Sequence, residues 1–187
     1  MSKHQRYSGV AMLFHWVIAG LVILNWRLAE NAEHAAARAE KIAIFNDHKA
    51  VGITILALTI GRLAWRLSHP VPPLPSGYAN WERILARSTH VIFYVLLIGL
   101  PIGGWLANSL GGQQIEMFGL FTIGALPVGS NEGLSEEIFD LHKTGGTIMI
   151  YLVGLHVLGG LKHTFFDKDG GIFRMLPFGK VGPRSSL

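Results

Sequence analysis

Four long apolar runs, interrupted only by isolated polar residues, mark the chain at about residues 10–29, 48–67, 85–107 and 138–166. A helix rising 1.5 Å per residue needs about 20 mostly apolar residues to cross a bilayer, and every run is of that order. The pattern predicts an all-α integral membrane four-helix bundle, with residues 1–187 forming a single domain. The first run is longer than the core of a cleavable signal, and no small-residue cleavage pattern follows it, so it is expected to be a retained span.

The polar intervals differ in kind. Residues 30–47 are rich in alanine and charge and are expected to begin as a helical extension of the first span. The run His69-Pro70-Val71-Pro72-Pro73-Leu74-Pro75 cannot continue a helix and predicts a stiff turn. Pro101, followed by Gly103 and Gly104, predicts a kink inside the third span. The longest interval, 108–137, contains no Lys or Arg. Its apolar pieces at 115–121 and 123–127 are too short to span, so they are expected on the membrane surface or over the mouth of the bundle. The polar tail beyond Phe178 is expected to be mobile.

Composition agrees with a bilayer as the solvent: 50% of residues are hydrophobic, 15% are charged, and mean hydropathy is +0.37. The absence of cysteine excludes disulfides, c-type haem attachment and thiolate-held iron–sulfur clusters. A net charge of +4 is a weak argument for nucleic acid, and no such partner is expected. The distribution of that charge says more. Eleven Lys and Arg fall in the N-terminal tail, around the second connection and at the C-terminal end, against five elsewhere. The positive-inside bias therefore places both termini of a multi-pass protein in the cytoplasm.

Histidines within such spans are costly and mark function by default. In the fourth run His142 and His156 lie fourteen residues apart, nearly four helical turns, on almost the same face and about 21 Å apart along the axis. The alternating direction of the spans gives the other histidines heights. His48 falls near the outer surface with His142, whereas His15, His90 and His163 fall towards the inner side with His156. Imidazoles from facing helices, paired at two heights, suit two non-covalently held b haems. The outer pair is then His48 with His142. For the inner pair His156 has two possible partners, His15 and His90, which spacing does not separate. His34 is read as a solvated loop residue, and His4 and His69 receive no role. Arg62, Arg66 and Arg87 are candidates to neutralise inner haem propionates, and Lys49 and Lys143 outer ones. For each of these, a basic cluster facing lipid headgroups is the plainer account. Zinc binding is the non-redox alternative, but it wants ligands clustered at one level, often with carboxylates that these spans lack.

The chain resembles the bacterial cytochrome b561 family and, more broadly, the cytochrome b subunits of hydrogenases and formate dehydrogenases. The resemblance is carried by Tyr7-Ser8-Gly9, Phe14-His15-Trp16, His48 with Gly52 and Arg62, the proline run after His69, His90, Pro101 through Trp105, and Phe118-Gly119. It is most specific at His142, Gly154-Leu155-His156, Lys162-His163, Asp167-Lys168-Asp169-Gly170 and Arg174-Met175-Leu176-Pro177. It implies a four-helix bundle with two b haems, His15 pairing with His156 and His48 with His142 as axial ligands of the iron. It also implies that His90 and His163 belong to a quinone site, with ubiquinone as substrate. One relative oxidises superoxide at the outer face and passes the electrons to ubiquinone. This chain departs from some relatives in having Lys162 and Thr164 around His163, where they carry a second histidine.

The expected function is electron transfer between an outer-face donor or acceptor, superoxide being one candidate, and the quinone pool. A periplasmic redox partner fits that role. The alternative is a cytochrome b anchor subunit of a larger dehydrogenase or hydrogenase complex.

Overall fold

A computed structural model describes residues 6–73, 79–168, 170–179 and 181. Four helices carry the chain: α1 Gly9–His34, α2 Arg38–Ser68, α3 Asn80–Leu110 and α4 Glu132–Phe165. A hairpin of β1 Ile115–Met117 and β2 Phe121–Ile123 lies between α3 and α4, and a 3-10 turn, Gly171–Met175, follows α4. Lys3, His4, Asp169, Lys180, Arg184 and most of the tail after Phe178 lie outside the described residues.

Every helix outruns its apolar stretch because helix-forming polar flanks continue it. The first connection is helical from both sides, and only Ala35-Ala36-Ala37 separates α1 from α2. Side chains set several starts. The Ser8 hydroxyl accepts from the Ala11 N–H at 3.3 Å, and Asn131 Oδ1 accepts from the Leu134 N–H at 3.0 Å. At α3 the Glu82 carboxylate accepts from the Ala79 N–H at 2.9 Å, the acidic half of a capping box. Pro101 does not end α3, which runs on to Leu110. Transmembrane helices tolerate proline when neighbours satisfy the freed carbonyl.

Helix α1 packs on α2, α2 on α3 and α3 on α4, while α1 and α4 meet more sparsely. The core takes residues from all four: Ile18, Val51, Ile55, Leu97 and Met149. Most large apolar side chains point the other way. Leu13, Val95 and Leu155 are each about two-thirds exposed, in helices long and apolar enough to cross a membrane. Such an outward belt is stable only against lipid, and helices alone satisfy their own backbone there. The protein is an all-α integral membrane four-helix bundle.

The hairpin was not foreseen. Met117 O accepts from the Leu120 N–H at 3.0 Å, with Phe118 and Gly119 both at positive φ (54° and 72°), the tight turn that suits twisted strands. Ile115 and Met117 pack on Ala50, Trp105 and Ile123, so the predicted cover over the bundle mouth is present, built from strands. The opposite end is tied by the two chain ends. The Tyr7 N–H donates to Arg174 O (3.2 Å), Arg6 donates to Leu176 O and Gly179 O, and Trp16 Nε1 donates to Met175 O (2.7 Å). Buried Arg174 reaches Pro73 O at 2.7 Å and Pro72 O at 3.4 Å, joining the proline turn to this assembly.

Charge separates the two ends. Nine of the twelve carboxylates, including Glu30, Glu33, Glu136 and Asp140, lie at the hairpin end with Arg27, Arg38, Lys41, Lys49 and Lys143. The end holding the chain termini carries Arg6, Arg62, Arg66, Arg83, Arg87, Lys162, Lys168 and Arg174 beside Glu82 and Asp167.

Candidate functional site

His48 on α2 and His142 on α4 face each other at the acidic end, ring centroids 6.0 Å apart and planes at 83°. Each ring is fixed from behind. The Nδ1–H of His48 donates to Asn25 O on α1 at 3.0 Å, and that of His142 donates to Leu100 O on α3 at 2.9 Å. A carbonyl can only accept, so both rings carry their proton on Nδ1 and keep the Nε2 lone pair free. This is the outer-shell arrangement that orients metal-binding imidazoles.

Local sequence makes those carbonyls reachable. A helical side chain leans over the turn before it, so the residue four places on covers a carbonyl. Four residues after Asn25 stands Ala29, and four after Leu100 stands Gly104. A Cβ at Gly104 would lie 3.0 Å from His142 Cε1 and 3.2 Å from its Nδ1. Sequence reasoning missed these supports. The small residues were visible, but which helix each imidazole leans on was not.

The pair opens on a cavity of about 1010 Å³ running between the helices to the acidic end. Its wall includes Val22, Ile55, Leu97, Trp105, Phe139 and Met149, with Glu30, Glu33, Lys49, Glu136, Asp140 and Lys143 among its polar lining. Lys143 is bound to Glu33 at 2.7 Å, and Lys49 donates to Asn108 Oδ1 at 3.4 Å.

Towards the basic end three imidazoles gather from three helices. His15 on α1 and His90 on α3 each stand 6.2 Å from His156 on α4, centroid to centroid. Trp16 and Phe93 pack edge-on against His15 and His156. His90 donates its Nδ1–H to Ala86 O in its own helix at 2.6 Å. Distance does not choose between His15 and His90, as the sequence did not. His163 lies one heptad beyond His156 in an ionic cluster: its Nδ1 and Lys162 Nζ are each 2.8 Å from Asp167 Oδ2, with Glu82 at 3.8 Å from Lys162. His34, at the end of α1, is exposed and donates to Glu30 O at 2.8 Å.

Arg62 and Arg66 line a second cavity, about 640 Å³, with Tyr7, Trp65 and Tyr94. Arg62 lies over the Tyr94 ring at 5.7 Å, and the Tyr94 hydroxyl is buried with no partner among the described residues. Arg87 is exposed and does not line it.

The donor set fits a haem better than a bare cation. Among the described residues no group of three or more His, Asp or Glu is arranged to hold a metal ion. An imidazole nitrogen binds a first-row metal at about 2.0 Å and the ring centre lies about 1.1 Å further back, so two axial imidazoles set their centroids about 6.2 Å apart. The 6.0 Å and 6.2 Å separations match that interval. The cavity beside the first pair is lined mostly by apolar side chains and lies at the top of the roughly 300–1,000 Å³ range of cofactor pockets.

Comparison with known proteins points the same way. The family model described as prokaryotic cytochrome b561 matches residues 6–178. Cytochrome b561 homolog 2 of Escherichia coli is 30% identical, the match covering 92% of each chain. A Yersinia pestis protein named "Probable superoxide oxidase CybB" is also 30% identical, over 93% of this chain and 97% of its own. Cytochrome b562 of Cereibacter sphaeroides is 25% identical over 94% and 98%. A haem b-binding, electron-carrying membrane protein is what the paired imidazoles and the lipid-facing bundle describe together, and the chain belongs to the prokaryotic cytochrome b561 family.

Proposed function

We propose that the protein is a two-haem relay through the bacterial inner membrane, joining a redox partner at its acidic end to the ubiquinone pool. The observation carrying this reading is the pair of imidazole couples at two levels of one bundle, 6.0 Å and 6.2 Å across. His48 and His142 hold one haem, and His15 and His156 the other. The resemblance to the family, not the spacing, selects His15 over His90. The positive-inside bias puts the basic end, with both termini, in the cytoplasm.

A bound haem b supplies a one-electron ferric–ferrous couple. The chain's own work is to hold and shield. The carbonyls of Asn25 and Leu100 retain the Nδ1 protons of His48 and His142, which keeps Nε2 available as the ligand atom. Trp105, Phe139 and Met149 give the outer cavity an apolar wall that would shield a haem held there from water. Arg62 and Arg66, which line the cavity at the basic end, would supply positive charge to the propionates of a haem held at the inner pair. His90 and His163 are assigned to the quinone, whose reduction takes up two electrons and two protons. The His163 imidazole stands 2.8 Å from the Asp167 carboxylate at the basic end.

Superoxide is one outer substrate to consider, because a relative is named for it. The test is a reduced-minus-oxidised spectrum with the haem-to-protein ratio, followed by ubiquinone reduction under a superoxide source. Two low-spin haems and reduction of those haems by ubiquinol support the relay; a colourless preparation overturns it. A superoxide-driven rate that falls in Lys143→Glu supports that substrate, and no such rate removes it.

A further inference from the structure

The geometry points to the acidic end as a docking surface for a soluble, lysine-rich one-electron carrier protein, a partner assignment that rests on the two-haem relay. Around the cavity that reaches His48 and His142, the rim is set by Glu30, Glu33, Glu136 and Asp140, the last three exposed. The two lysines there do not reverse its sign. Lys143 and Glu33 cancel as an ion pair at 2.7 Å, which leaves Glu30, Glu136 and Asp140 against Lys49, itself partly buried against Asn108. Across this whole end nine carboxylates meet five cations. An anion approaching it crosses a repulsive field, whereas a cationic protein is drawn in over roughly a Debye length of about 8 Å.

Protein chemistry favours a carrier over a small cation. Electron-transfer encounters are weak, bury less than about 1,200 Å² and are steered chiefly by charge, so a modest rim around a redox site suffices. Glu136 and Asp140 stand one turn apart on α4 and line the same cavity as His48 and His142, so a partner held at this rim sits over the opening that leads to the outer imidazole pair. Each encounter would pass one electron between the carrier and a haem held by His48 and His142, one being oxidised as the other is reduced, with no bond made or broken.

The test uses the holoprotein in phosphatidylcholine nanodiscs, so that the lipid adds no net charge, with mitochondrial cytochrome c as the basic probe. Ferricytochrome c is expected to bind at about 10 mM ionic strength and to weaken at least tenfold, roughly, by 300 mM. The double variant Glu136→Lys/Asp140→Lys, checked for unchanged haem content, is expected to lose about tenfold at low salt. If it does not hold its haem, Glu136→Gln/Asp140→Asn, which removes charge without reversing it, is read instead. Stopped-flow oxidation of the reduced haems by hexaammineruthenium(III), a cation, is expected to outpace that by ferricyanide, an anion, once each is scaled to its rate with free cytochrome b in detergent. No binding of cytochrome c at low salt, binding indifferent to the substitutions, or preference for the anion would each overturn the assignment. Failure of ubiquinol to reduce the haems of the native chain would instead overturn the relay on which the assignment rests.

Discussion

His142 donates its Nδ1–H to the carbonyl of Leu100, 2.9 Å away on the neighbouring helix, across a gap that exists because residue 104 is glycine. The bond fixes the tautomer and leaves Nε2 unprotonated, so the ring that faces His48 is oriented by a backbone atom and a missing side chain. Gly104→Val is therefore expected to push the ring off Leu100 and remove the outer haem while leaving the inner one. Pyridine haemochrome assay should show about half the native haem per protein, with one component of the low-spin α-band gone.

Single histidine substitutions separate the two levels. His48→Ala and His142→Ala are each expected to lose the same haem, and His156→Ala the other, leaving about one per chain. At the inner level, His15→Ala should lose the haem that His90→Ala keeps. Two haems retained in His15→Ala would reassign the inner ligand to His90, which stands at the same 6.2 Å from His156.

The hairpin covers the cavity at the acidic end, which Ile115 lines. Ile115 is 1% exposed between Ala50, Trp105 and Ile123, and Ile115→Ala is expected to cost about 3 kcal/mol of local packing. The consequence to measure is access: reduction of the outer haem by dithionite should become faster, while the inner haem is unaffected.

Arg174 fastens the opposite end. Its guanidinium donates to the carbonyls of Pro72 and Pro73, and Arg174→Met keeps much of the stem while leaving those acceptors without it. A loss of about 2 kcal/mol is expected, read as a lower thermal midpoint in detergent with unchanged haem content.

Much of this architecture was legible in the order of residues. The four spans followed from length and hydropathy, and the levels of His48 with His142 and of His15 and His90 with His156 followed from alternating span direction. Local rules reached less far. Ile115–Met117 and Phe121–Ile123 were seen as short apolar pieces, but their pairing depends on Phe118 accepting a φ that non-glycine residues seldom adopt. Asn25 and Leu100 act through backbone carbonyls, which carry no residue identity to read. The sequence offers Lys143 as a candidate to neutralise an outer haem propionate, whereas in the fold α1 brings Glu33 against it. Its partner is 110 positions away, and only the fold connects them.

Helix α4 contributes one imidazole to each couple, so a single rigid rod works as the ruler between them. Fourteen residues of α-helix neither stretch nor compress appreciably, and inserting one residue between 142 and 156 would swing the lower ring by about 100° around the axis. In a two-haem relay the spacing of the stepping stones for an electron would thus be written into peptide geometry, out of reach of movements in the loops at either end.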